Sequence, residues 1–298
     1  MPSNYPGANR RSILERIQIV QLEKKILHEI SPTVQNWLSS IKDKLLMEEL
    51  SKSIYVAGGA ITSVIIGESI RDIDVYINNI KTASKLIAYY TNRLQSLPSA
   101  ENILLYQEET HEGIRIKTTG QSYTNYEPPS VPLGSEHPIY ISETAMSFRS
   151  GIQVILGFVG SPESVLKRFD FEHARNWCDL TSVHLSADAI LSIAQRRLTF
   201  TTATQYPLAS LFRLRKFVKR GWKISPGEIL KIILCTNRLN LFDPHVLREQ
   251  LVGIDLAYFE NIFSALFSHP HDENLSLKTI SDAIDSKYNT EGTHADNY

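Results

Sequence analysis

Apolar residues recur at helical spacing through residues 12–50. Ile13, Ile17, Val20, Leu27 and Ile30 make one stripe, and Val34, Trp37, Leu38, Ile41 and Leu45 a second. Ser31-Pro32 lies between the stripes as a helix-opening pair, so the pattern predicts two amphipathic helices bracing the head of the chain. From Ser53 to Ser182 the period shortens. Ile54-Tyr55-Val56 is β-branched and aromatic, and Arg71 to Ile77 alternates polar with apolar. Further strands are expected at 103–107, 114–118, 139–142, 145–149 and 152–157, with Ser150-Gly151 joining the last two as a hairpin. A helix near 82–97 separates the second strand from the third. Ser161-Pro162 opens a short helix that leads into a strand around Phe169, and the Gly, Pro and Ser-rich run 120–138 reads as a loop.

Beyond Ser186 strand signals disappear. Leu208, Leu211, Phe212, Phe217 and Val218 form a helical stripe that Pro207 opens and Gly221 stops. Ser225-Pro226-Gly227-Glu228 is a capping box, and Asp243-Pro244 opens another helix. The expected division is 1–50 as bracing helices, 51–182 as an α+β head, 183–268 as a helical neck and body, and 269–298 as a polar tail. The fold class is therefore α+β, a mixed sheet with helices followed by an all-helical domain.

Composition narrows the setting. The chain has 298 residues, 42% hydrophobic and 21% charged, enough for two modest domains with real cores. A formal net charge of -1 means that any nucleic-acid contact must come from clustered cations. Cys178 and Cys235 are the only cysteines and show no ligand or disulfide spacing, which argues against structural zinc and points to a reducing, cytoplasmic compartment. The longest apolar runs, such as 154–159, are far too short to span a bilayer, and the N-terminus lacks an apolar leader.

The chemistry concentrates in Val56-Ala57-Gly58-Gly59-Ala60 and the segment after it. A glycine pair lets backbone approach a ligand closely, and a helix starting there aims its N-terminus at an anion. On a strand from Arg71 to Ile77, Asp72 and Asp74 fall on one face. Two carboxylates that close repel each other, and a divalent cation such as magnesium, bridging to phosphate oxygens, relieves the repulsion. Further on, Arg213, Lys216 and Arg220 share a helix face, and no acid interrupts the run from Tyr206 to Gly227, so its charge is locally uncompensated and suits phosphate.

The order of glycine pair, short helix, Gly67, Arg71 and Asp72-Ile73-Asp74 resembles the head of the DNA polymerase β superfamily of nucleotidyltransferases. The likeness is greatest to the CCA-adding enzymes and bacterial-type poly(A) polymerases, with Gly58, Gly59, Gly67, Arg71, Asp72 and Asp74 at matching positions. Thr62-Ser63 stands where that family commonly has an Arg-Asp pair. Lys167 to Arg175 resembles the family's Arg-Arg-Asp-Phe strand, with Arg168 and Asp170 at the corresponding places. Tyr206 to Ile224 is similar to its neck, with Tyr206 in place of an acid. The resemblance implies a nucleotidyltransferase-type head that transfers a nucleoside monophosphate from a nucleoside triphosphate such as ATP to an acceptor hydroxyl, first of all an RNA 3′ end.

By the same resemblance Asp72, Asp74 and Asp170 hold two Mg2+ (or Mn2+) ions roughly 3.5–4 Å apart. Asp179 is the second choice for the third ligand. An acid between Phe169 and Phe171 equally fits a buried carboxylate satisfied by backbone donors or by Arg168. Gly58 and Gly59 would offer N–H groups to the triphosphate, Arg71 or Arg168 would balance developing charge, and Arg213 and Lys216 would face nucleotide or acceptor. Two other readings stay open: transfer to a protein or small molecule, and a catalytically retired head acting as a binding or structural module in a viral or phage setting.

Overall fold

The computed structural model describes residues 7–95, 104–119, 136–251 and 278. Its first helix, α1 (Gly7–Ser40), runs through Pro32 without a break, where the sequence pattern predicted two helices. The reason is the single stripe formed by Ile26, Ile30, Val34, Trp37, Leu38 and Ile41, all buried in one core. An interior proline costs about 3 kcal/mol, less than the burial of six large side chains provides. A second helix, α2 (Lys44–Ser53), starts at Asp43, whose carboxylate accepts from the Leu46 N–H at 3.1 Å, and it leaves Leu45 exposed.

The head is built from β1 (Ile54–Ala57), α3 (Gly59–Ile66), β2 (Ile73–Ile77) and α4 (Ile80–Gln95). Next come the hairpin β3 (Leu104–Glu109) and β4 (Ile114–Thr119), then β5 (Pro138–Ile141), β6 (Ala145–Phe148), β7 (Ile152–Val159), α5 (Pro162–Leu166), β8 (Trp177–Cys178) and β9 (Val183–His184). Seven strands form one sheet in the order β5-β6-β7-β2-β1-β8-β9, while β3 and β4 pair apart from it. Only the β2–β7 pairing is parallel, so the sheet is mixed. The sheet extends to β9, just past the expected head boundary at 182.

Strand alternation gives the sheet two different faces. Val56, Val75, Val154 and Cys178 point into the large core with α1, α2 and α4. Tyr55, Ala57, Tyr76 and, at its edge, Trp177 point the other way, against Val165 and Leu166 of α5. Asp74, one residue from Val75 and two from Tyr76, belongs to this second face.

The expected strand around Phe169 does not form. After α5 the chain turns, makes a single bridge between Phe171 and Phe200, and coils as one 3-10 turn at Glu172–Ala174. Fully buried Phe171 seats in a second core with Ile193, Leu198, Phe200, Trp222 and Ile232, which draws the segment away from the sheet.

That core belongs to α6 (Ala187–Ala194), β10 (Arg197–Leu198), α7 (Pro207–Lys219), β11 (Lys223–Ile224), α8 (Pro226–Thr236) and α9 (Pro244–Leu251). This part is helical apart from the short parallel pair β10–β11, which the sequence pattern did not predict. At the start of α8 the Ser225 hydroxyl accepts from the Glu228 N–H, as expected of a capping box. The Glu228 carboxylate instead accepts from the Phe200 N–H at 2.7 Å. Both cysteines are unpaired, Cys178 buried and Cys235 half-buried. No helix among the described residues is long and apolar enough to cross a membrane. Most of the expected loop at 120–138, the end of the body near 267 and the tail at 269–298 lie outside the described residues, save 278.

His173 is sealed between the two parts of the molecule, its ring 4.6 Å from that of Phe217 and 4.4 Å from that of Trp222. Burial pushes its pKa down to about 4, with Asp170 pulling it up and Arg220 adding to the fall. The native ring stays neutral below pH 6.5 while the unfolded chain takes up a proton. Stability should therefore decline as pH falls from 6.5 towards 4, by on the order of 3 kcal/mol from this group. Urea melts across that range should show a shallower decline in His173→Phe than in the parent.

Candidate functional site

Gly58 ends β1 with φ +91° and caps α3, a conformation that only glycine adopts cheaply. At the other end Gly67, with φ +76°, closes α3 as a left-handed cap, its N–H reaching the carbonyls of Ser63 and Val64. A Cβ at residue 58 would stand 3.5 Å from the Phe169 ring and 3.8 Å from Asp74 Oδ2. The glycine turn, the start of α3 and the Asp74 carboxylate are therefore neighbours. Gly59 is exposed, and a Cβ added there would meet no neighbouring element within 4 Å.

Asp74 is half-buried and Asp72 exposed. Burial first, and then the negative charge of Asp72, push the Asp74 carboxyl up to about 7, while Arg213 and Lys216 pull it down. Asp72, Arg213 and Lys216 thus all act electrostatically on Asp74. Two recesses elsewhere, of about 400 Å³ beside Trp177 and His184 and about 370 Å³ beside Arg115 and Tyr206, do not include the acid pair.

Other expected site residues have different partners. Asp170 is buried, and its Oδ2 accepts from Arg213 Nη1 at 2.6 Å. It is the satisfied buried acid, with Arg213 as its partner and not Arg168. Among the described residues no three His, Cys, Asp or Glu side chains are grouped to hold a metal, so the three-acid cage is not assembled. Asp179 accepts from the N–H and hydroxyl groups of Thr181 and Ser182 and serves the β8–β9 turn. Arg168 pairs with Glu112 of the β3–β4 turn at 3.3 Å and lies over the Phe158 ring. Arg71 is exposed on the connection between α3 and β2. The Gly58 N–H donates to the Asn176 carbonyl at 3.3 Å and so is already satisfied within the protein.

The positive charge of α7 is also more compensated than its local sequence implies. Arg213 meets Asp170, and Arg220 meets Glu68. These acids lie 43 and 152 positions away in the chain, which is why scanning the helix alone missed them. Thr62, where the resembled family has Arg, is buried and donates to the His173 carbonyl at 2.9 Å, tying α3 to the 3-10 turn. No local signal marked Asn176 or Glu68, and Thr62 stood out only as a departure from the resembled family.

The donor set suits a hard divalent cation. Magnesium is typically bound by one or two carboxylates plus substrate phosphates and water, not by an all-protein cage. Asp72 and Asp74 fit that pattern without Asp170. The first-turn N–H groups of α3 and the charge of Lys216 complete a surface suited to a phosphate chain.

The head is thus a mixed sheet bearing a glycine turn and a short helix, with Asp74 on the next strand and Asp72 just before it. The family model described as Gabija anti-defense 2 family protein matches residues 29–196, more than half of the chain, and the chain belongs to that family. Gabija anti-defense 2 of Bacillus phage SPbetaL7 is 24% identical over 254 residues, covering 84% of this chain and 53% of the phage protein. The chain thus spans about half the length of that relative.

Among solved structures, a CCA-adding enzyme with CTP is similar at 14% identity and a TM-score of 0.44, over 76% of this chain and 48% of that one. A CCA-adding enzyme with ATP gives 10% and 0.43 over 89% and 68%. The Thermotoga maritima CCA-adding enzyme complexed with tRNA gives 11% and 0.39 over 86% and 68%. These likenesses are too distant to carry an activity across.

Because the Asp74 carboxyl sits near 7, a proton competes with any cation there below that pH. Mn2+ affinity, measured by calorimetry between pH 5.5 and 8, should fall about tenfold per pH unit below 7 and level off above it. Asp72→Asn should move the midpoint to lower pH, and Asp74→Asn should remove the pH dependence.

Proposed function

We propose that this chain is a metal-dependent nucleotidyltransferase that joins a nucleoside monophosphate, taken from a nucleoside triphosphate, to an acceptor hydroxyl. The observation that carries this reading is the Asp74 carboxylate beside the Gly58 turn and the start of α3, with Asp72 next to it and Lys216 acting on the same point. The N–H groups from Gly59 onward would cradle the phosphates, where the partial positive charge of the helix end favours anions. Lys216 would balance the charge that develops on the leaving pyrophosphate. Asp170 would hold Arg213 in line, and Thr62 would keep α3 fixed against the 3-10 turn. Asp72 and Asp74 would hold Mg2+ or Mn2+, whose chemistry when bound is to sharpen the acceptor hydroxyl as a nucleophile and offset the leaving group's charge.

The resemblance to RNA 3′-end enzymes favours RNA as acceptor. A second reading, transfer to a protein or small molecule, draws on a specific observation: Arg213 and Arg220, two of the three cations on the head-facing side of α7, are already paired, leaving little charge for a nucleic-acid strand. The family description supports an action against the Gabija defence, whose components would then be candidate acceptors. It also fits a phage setting, in which a head that binds without catalysing would equally serve.

The purified protein, incubated with magnesium or manganese, each labelled nucleoside triphosphate, and tRNA lacking its 3′ end, total RNA or lysate, should incorporate label. Label in RNA supports the first acceptor; label in protein or a small product supports the second. Asp72→Ala and Asp74→Ala should reduce incorporation to background with melting temperature retained, and unchanged incorporation in both would refute the mechanism.

A further inference from the structure

Glu68 stands immediately after the left-handed Gly67, on the connection that ends in Asp72. Its half-buried carboxylate meets two guanidinium groups from the helical part of the molecule. Arg220, at the end of α7, takes Glu68 Oε2, and Arg196 Nη1 lies 3.5 Å from Oε1. Arg196 Nη1 also donates to the Arg220 carbonyl at 3.2 Å, closing a three-residue cluster. Arg196 has φ +46° and is the sole non-glycine residue with positive φ among those described. A side chain held in that region costs of order 1 kcal/mol or more and persists only where its surroundings enforce it.

The cluster has a counterpart on the same helix. Arg213 lies seven residues before Arg220, two turns or about 10 Å along α7, and is held by Asp170 at 2.6 Å. Two acids of the head thus pin α7 through two arginines on one side. Lys216 lies between the pins on that same side, exposed, with no ion pair among the described residues, and its charge acts on Asp74. One end of the α3–β2 connection is therefore tied to the helix that presents Lys216, while its other end carries Asp72.

We infer that Glu68 is a positioning residue: through Arg220 and Arg196 it locks α7 to the connection that ends in Asp72, and so holds Lys216 facing the acid pair. It touches no ligand itself. The lock follows from the ion-pair geometry, whereas its consequence for triphosphate rests on the transferase reading above. It assigns different tasks to cations that look equivalent along the helix, Arg213 and Arg220 as pins and Lys216 as the ligand-facing charge.

The test separates the two claims. In Glu68→Gln, hydrogen exchange of the α7 amides should accelerate several-fold while the melting temperature changes little; exchange equal to the parent's would overturn the lock. This arm needs no activity, so a protein that transfers nothing would sink the transferase reading and leave the lock standing. In ATP titrations with magnesium, Glu68→Gln should weaken binding about tenfold in the parent background and have no further effect in Lys216→Ala. Equal losses in both backgrounds would show that Glu68 does not act through Lys216. The charge swap Glu68→Arg with Arg220→Glu should restore slow exchange and most of the affinity, and failure on both counts would speak against the pairing as the cause.

Discussion

The partly buried Asp74 carboxyl, which burial and the neighbouring Asp72 push up to about 7, is the point around which the head and α7 are arranged. A folded chain has no stability reason to bring one carboxylate beside another and bury it partway, since both desolvation and like charge oppose ionisation. Here burial and Asp72 hold the Asp74 carboxyl near 7, and the opposing cations reduce the cost without removing it. Groups perturbed in this way cluster at functional sites. The β1–β2 pairing, the Gly58 turn and the placement of α7 all bear on that one point.

The two parts of the molecule meet around it. Phe171 and His173 leave the head to enter the second core, and Asp170 and Glu68 reach across to Arg213 and Arg220. Such half-buried ion pairs add little net stability on their own. Their effect is directional: they fix how α7 lies over the acid pair. The charges of Asp170 and Glu68 are thus both taken up by arginines of the helical part.

Much was legible along the chain because the physics there is local. The glycine turn, α3, β2, the β6–β7 hairpin and the caps at Ser161 and Ser225 follow from backbone freedom and from side chains a few residues apart. Alternation was enough to place Asp74 opposite Val75. Failures came where a distant partner outweighed a local preference. The stripe from Ile26 to Ile41 overrode Pro32, and the aromatic core around Phe171 removed a strand.

Residue order alone thus identified the α+β head, the acid pair and the basic helix, since each depends on periodicity or on neighbours within a turn or a strand. Which acid meets which base was settled by folding, because Coulomb attraction acts between side chains close in space, however many residues separate them. Asp170 with Arg213, Glu68 with Arg220 and Arg196, and Glu112 with Arg168 become visible only once the chain is folded.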